Sequence, residues 1–302
     1  MSTSNQIEKN ESRLIKMLEW HKSDFEQRIG FGGGKYTDVN IWCSVIITVV
    51  LCSAFFTVLN FVPPNLRKTK LIEILLDRGW TPYVMTCFAI FALVILLVKT
   101  QKLGFQVKAL EIEIIPRAND FNLTPDSAPD AIKRMYGLVD DPKRFVLFNR
   151  IERALMNLKN IGNVSDVSEM LRAQAENDES HMDSSYSLLR GLIWAIPIFG
   201  FIGTVIGLSS AIGKFGSVLT AEANMSALKQ SLSPVTSNLA VAFDTTFLAL
   251  ILAVFVQMLM TVLQKREEMF LDECRDYAHC HVISRLRLTS DKPPIKPSDS
   301  DE

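Results

Sequence analysis

Two stretches of this chain set a few hydroxyls and one carboxylate into runs long enough to cross a bilayer. Residues 195–212 read AIPIFGFIGTVIGLSSAI, and residues 239–254 read LAVAFDTTFLALILAV. Their polar side chains are Thr204, Ser209, Ser210, Asp244, Thr245 and Thr246. In hydrocarbon, such groups are tolerated where they face protein or a water-filled path. All of them offer oxygen. That chemistry suits the passage of a proton or a small cation, and it points to a lined channel.

Helical spacing gathers these residues with small ones. Pro197, Gly200, Thr204, Gly207 and Ala211 fall on one face of a helix, and Gly203 with Gly207 makes a small-xxx-small pair. In the second stretch Leu239, Ala242, Thr246, Ala249 and Ala253 share a face, again with one hydroxyl. Two helices that each show a narrow face could enclose a slim pore around single ions or a third helix. The plainer reading is close helix packing, with each threonine bonded to its own i−4 carbonyl. Asp244 lies off the stripe, because two residues from Thr246 is about 200° around the helix. It is expected either to bond a neighbouring span or reach a wet vestibule, or else to join Thr204, Thr245 and Thr246 in the ion path.

The elements that hold these stretches are membrane helices. Of 302 residues, 48% are hydrophobic, and they cluster in blocks. Residues 39–66, 79–98, 191–213 and 235–264 are almost free of charge, Asp244 being the exception in the last. Each reaches the roughly 20 residues that span about 30 Å of hydrocarbon. The expected fold is therefore an all-α membrane protein with four transmembrane helices. The expected divisions are 1–38, an amphipathic helix and a Gly32–Gly34 joint; 39–98, two peripheral spans; 99–189, a polar helical region; 190–264, two pore-lining spans; 265–288, a charged helix; and 289–302, a disordered tail. Residues 165–189 read as a helix running straight into the third span, and Pro234 as leading into the fourth.

Other classes of function find little support. The first 38 residues are charged and helical in pattern, so a cleaved signal peptide is not expected. The triple glycine lacks the Lys and Ser/Thr that would end a phosphate loop. A net charge of −1 argues for no nucleic-acid partner. Cys274, His279, Cys280 and His281 invite a metal, but on a continuous helix they share no ligand face, and no metal or cofactor is expected. No Ser-His-Asp set or paired carboxylates appear, so the chain does not read as an enzyme. Twelve Lys and Arg flank the spans on the N-terminal side of the membrane against six on the other, which places both termini in the cytoplasm.

Residues 196–208, IPIFGFIGTVIGL, resemble the signature A-P-x-x-G-L-x-G-T-V-x-G-I of the MotA/TolQ/ExbB proton-channel family. Pro197, Gly200, Gly203, Thr204, Val205 and Gly207 coincide with it. Residues 239–250, LAVAFDTTFLAL, are similar to the second signature, I-A-x-A-L-x-x-T-A-x-G-L, with the threonine at Thr246. The resemblance spans residues 185–263, and four spans match the MotA layout. It implies a homo-oligomeric ring, typically a pentamer, in a bacterial inner membrane. The ring would surround a dimeric, single-span partner of the ExbD/TolR/MotB type that carries the ion-binding aspartate. H+ or Na+ flow would then drive rotation, with Thr204 and Thr246 beside that aspartate, and the cytoplasmic helices would extend the pore spans. The chain departs from TolQ and ExbB where they carry a glutamate early in the second pore helix, because Val241 stands there.

Two other functions stay open on the sequence. The small stripes could serve packing alone, in a membrane scaffold whose polar helices bind partners. A small-solute transporter is the third reading, though no internal repeat of the kind common in transporters is present.

Overall fold

The structure, a computed structural model, describes residues 26, 32, 34–63, 69–112, 114, 123–158, 163–219 and 225–287. The amphipathic helix expected before residue 30 and the tail expected at 289–302 lie outside them, Glu26 apart. The described residues are helical: α1 (Ile41–Asn60), α2 (Lys70–Asp77), α3 (Thr81–Leu110), α4 (Ala128–Leu138), α5 (Val146–Asn157), α6 (Val164–Ser185), α7 (Ser187–Leu219) and α8 (Met225–His281). Single 3-10 turns cover Pro142–Arg144 and Ile283–Arg285, and one isolated parallel bridge joins Leu123 to Leu286. Four helical stretches are long and apolar enough to cross a membrane.

Two compact units emerge. One, the apolar unit, comprises Val39–Lys99 and Ser185–Gln264; the other, the polar unit, draws on Met1–Asp38, Thr100–Ser184 and Lys265–Glu302.

In the apolar unit, α1 starts where the Asn40 side chain accepts the Trp42 backbone N–H at 3.1 Å. It then runs without a charge. Its buried residues are Cys43, Ser44, Thr48 and Cys52, while Ile41, Trp42, Ile46, Val49, Val50 and Val58 are exposed. Small polar residues inside and large apolar ones outside invert the soluble pattern. A lipid-facing helix has this arrangement, since its partners are chosen for close approach and not for hydrophobicity. The amphipathic α2 ends at Arg78, and Gly79 takes the left-handed conformation (φ 93°) that turns the chain into α3.

The spans are in a common register. Phe56 of α1 meets Tyr83 of α3 with ring centroids 4.8 Å apart. At the far end of the α3 span, Lys99 Nζ donates to Ser185 Oγ at 2.8 Å and lies 4.4 Å from the Tyr186 ring centroid. At its start, Thr81 approaches Gly203. Thr81 to Lys99 and Ser185 to Gly203 are equal lengths of chain, each about 27 Å as helix, close to the thickness of the hydrocarbon layer.

The helix at 165–189 does run into the third span, as one helical stretch over Val164–Lys214. It has a single-residue turn at Tyr186 between α6 and α7, where Lys99 from α3 donates to the Ser185 hydroxyl and lies over the Tyr186 ring. One expectation is corrected. Pro234 does not lead into the last pore helix but lies inside α8, which begins at Met225. A proline within such a helix is tolerated where nearby hydroxyls satisfy backbone carbonyls. Pro234 frees the Gln230 carbonyl; the nearby Thr236 hydroxyl donates instead to Ser233 O at 2.9 Å.

The polar unit is held by side chains distant in sequence. Arg150, 1% exposed, donates from Nη2 to Asp178 Oδ2 at 2.8 Å. Lys102 Nζ reaches Glu26 Oε2 at 2.5 Å and Asp38 O at 2.6 Å. Gln106 bridges to Arg144 O and to the Val146 N–H. Thr37 bonds Glu267, and Tyr36 bonds Asn149. Burial, with Asp178 nearby, pushes the Tyr36 phenol above its usual range.

Candidate functional site

The two small stripes meet each other. Gly200 lies against Ala249 so closely that a Cβ on it would fall 2.4 Å from the Ala249 Cβ. Two turns on, a Cβ on Gly207 would fall 3.0 Å from the Ala242 Cβ. Each advance of seven residues along α7 matches a retreat of seven along α8, so the pair is antiparallel in constant register. The close approach needs hydrogen in place of a side chain at both glycines.

Midway between these contacts, the Thr204 and Thr246 hydroxyls bond each other. Thr204 Oγ1 also lies 3.3 Å from Gly200 O and 3.1 Å from Ala242 O; Thr246 Oγ1 lies 3.2 Å and 3.4 Å from the same two carbonyls. Two hydroxyls and two carbonyls thus form one cluster of four oxygens. Both threonines are half-buried, at an edge flanked by the exposed side chains of Phe201, Val205, Phe243 and Phe247. The hydroxyls can donate, accept and rotate, which is what passing a proton or briefly holding a small cation requires.

The neighbouring residues turn elsewhere. Thr245 does not join the hydroxyls at this edge: its side chain is 0% exposed, its hydroxyl donates to Ala242 O at 3.0 Å, and it sits with Thr81 against Gly203. Asp244 turns to Arg78, whose Nη2 lies 3.1 Å from Asp244 Oδ2 and 3.0 Å from Glu73 Oε1. Pro197 lies within α7, one turn from Gly200 and half-buried.

Arg78 and Thr81 went unnoticed as site residues. The available signal was a lone acid in a span together with a basic residue in a flank. Pairing the two needs the fold.

Away from this site, Cys274 is buried, and burial pushes its thiol up to about 12; Cys280, on the same helix, is exposed. Among the described residues, no group of three or more His, Cys, Asp or Glu is placed to hold a metal.

The family model of the MotA/TolQ/ExbB proton channel family matches residues 140–276, which include α5, α6, α7 and most of α8. That match, over a little under half of the chain, supports membership of the MotA/TolQ/ExbB proton channel family. With its four long apolar helices the chain is a multi-pass membrane protein, and the matched region contains the whole threonine cluster. No curated protein and no solved structure gives a significant match.

Proposed function

We propose that this chain is the channel-forming subunit of an ion-driven membrane motor. Copies of it, five in the family's usual arrangement, assemble in a ring around a dimeric single-span partner of the ExbD/TolR/MotB type. Thr204 and Thr246 line the path of H+ or Na+ between ring and partner, and no other cofactor takes part. The observation that carries this reading is the four-oxygen cluster at a half-exposed edge, combined with a span carboxylate that faces Arg78 instead. Coupling ion flow to motion needs a group whose charge changes as the ion binds and leaves; with Asp244 facing Arg78, that acid comes from the partner. One charge crossing the membrane potential releases about 2.3 kcal/mol per 100 mV, so a few ions suffice for a mechanical step.

In this reading the termini and the polar unit are cytoplasmic, the membrane is the bacterial inner membrane, and α6 and the end of α8 are cytoplasmic extensions of the pore helices. The exposed apolar residues beside the cluster, Phe201, Val205, Phe243 and Phe247, are covered by neighbouring copies or the partner.

The test is ion flux in proteoliposomes holding the chain with its co-purified single-span partner. Thr204→Val and Thr246→Val each abolish partner-dependent flux while the oligomer stays intact. Normal flux in both variants would overturn the proposal. It would favour a second reading, a membrane scaffold, which rests on the finding that the small stripes pack on each other.

A further inference from the structure

Three consecutive residues of α8 are held from three sides. Asp244 is drawn to Arg78, Thr245 fills the gap at Gly203 beside Thr81, and Thr246 meets Thr204. Successive helix residues are about 100° apart, so three neighbours pinned on three faces fix both the rotation and the height of the helix. Above and below them the contacts are Gly200 to Ala249 and Gly207 to Ala242. Those surfaces are smooth, and they set how near the helices come without setting how α8 is turned. Direction comes from the polar contacts.

Arg78 is built to act there. It caps α2, and Gly79 with its positive φ sends the chain directly into α3. Its side chain is 16% exposed against 32% for Asp244, and one nitrogen, Nη2, serves both Glu73 and Asp244. The guanidinium therefore links α2 to α8 at the level where Thr81 begins α3. Without it, Asp244 would carry an uncompensated charge in a span, and such a charge turns toward water or a cation. Asp244 and Thr246 lie about 200° apart. Any turn that brings the carboxylate toward the half-exposed edge takes Thr246 away from Thr204.

We infer that Arg78 is a positioning residue for the Thr204–Thr246 pair: it keeps Asp244 out of the ion path and holds α8 in the rotation that brings the two hydroxyls together. The consequence for ion flow rests on the proposed function, whereas the rotational setting does not.

The test is a cross-link across the pair. In T204C/T246C the two thiol sulfurs replace the two facing hydroxyl oxygens. Copper-phenanthroline with oxygen in native membranes removes two electrons and two protons to leave one intrachain disulfide, which peptide mapping separates from the native thiols. With Arg78 present, cross-linking is fast. R78Q slows it at least fivefold, R78K slows it less, and R78Q/D244N restores it to within twofold of the parent. D244N, which keeps an oxygen for Arg78, also stays within twofold.

Equal rates in R78Q and the parent overturn the inference, as does a double variant no faster than R78Q. Should R78Q fail to accumulate in membranes, the double variant decides: accumulation with the parent rate supports the inference, and failure of either overturns it. On the threonine-bearing chain with its partner, R78Q lowers ion flux at least tenfold and the double variant recovers it; flux unchanged in R78Q overturns the link to conduction. A wild type that passes no ions would sink the proposed function while leaving the cross-link result to stand alone.

Discussion

The two units of this chain satisfy their polar groups differently. In the apolar unit several hydroxyls turn back on their own helices: buried Thr48 donates to Ser44 O at 2.7 Å, and the exposed Thr57 and Thr261 donate to Ser53 O at 2.6 Å and Gln257 O at 2.9 Å. Thr204 with Thr246 and Arg78 with Asp244 are long-range exceptions within this unit. Its pore helices meet on glycine and alanine. In the polar unit the partners are far apart in sequence and charged: Arg150 with Asp178, Lys102 with Glu26, Thr37 with Glu267. The surrounding medium explains the difference. Lipid offers no hydrophobic gain when helices associate, so close approach and local satisfaction are what remain. In water, apolar burial drives folding, and whatever charge goes inside must find a partner. One unit should therefore fail when volume is added, and the other when a partner is removed.

The largest expected effect lies in the polar unit. Arg150→Ala strands the Asp178 carboxylate with only Gln174, whose Nε2 donates to Oδ1 at 2.9 Å. Removing one member of a buried ion pair costs about 3–5 kcal/mol, while replacing both with apolar residues is often close to neutral. Thermal unfolding of the detergent-solubilised protein should show a large loss for R150A and substantial recovery in Arg150→Met/Asp178→Leu. A loss below about 1 kcal/mol in R150A would remove the basis of the comparison.

Added volume is the next largest. A methyl group at Gly200 would sit 2.4 Å from the Ala249 Cβ, so Gly200→Ala forces the helices apart. Overpacking of this kind costs about 1–3 kcal/mol. Ala249→Gly in the same chain should relieve it. The control is on the same helix: Gly191 has no atom within 4 Å of its would-be Cβ, so Gly191→Ala should be neutral or slightly stabilising. Equal effects at the two glycines would mean that close approach at Gly200 does not govern α7; a gain at both would leave helix propensity in charge.

The same division explains how much was legible in the sequence. Four spans and the stripe bearing Thr204 and Thr246 could be read because each is written within one helix, in composition and spacing. The sharing of Asp244 between acid and ion-path roles could not be settled that way, since Arg78 lies more than a hundred residues earlier and reaches it only through the fold. The one-residue turn at Tyr186 within that continuous stretch has no local signature, since the lysine that meets it comes from α3. Pro234 misled because a local rule, that proline begins a helix, was overridden by tertiary context. The polar unit was read only as helices, because its Tyr36, Asn149, Arg150 and Asp178 contacts join segments with no local signature.

The smallest effect gives the cleanest comparison, because one substitution can be made in both units. Thr48 and Thr37 are both buried threonines. The Thr48 hydroxyl bonds a carbonyl of its own helix, which also keeps the backbone hydrogen bond characteristic of helices; Thr48→Val replaces the hydroxyl with a methyl of similar size. Hydrogen bonds within membrane proteins average about 0.6 kcal/mol, and the loss here should not exceed that. The Thr37 hydroxyl donates to the Glu267 carboxylate across 230 residues of chain. A hydrogen bond to a charged group contributes about 1.5–3 kcal/mol, so Thr37→Val should cost several times more than Thr48→Val in the same unfolding measurement. If the two losses are equal, the hydroxyls of the apolar unit are held as firmly as the ion pairs of the polar one. The Thr204–Thr246 contact would then be a structural bond whose loss unfolds the pore helices, and the flux experiment would have to be read with unfolding subtracted.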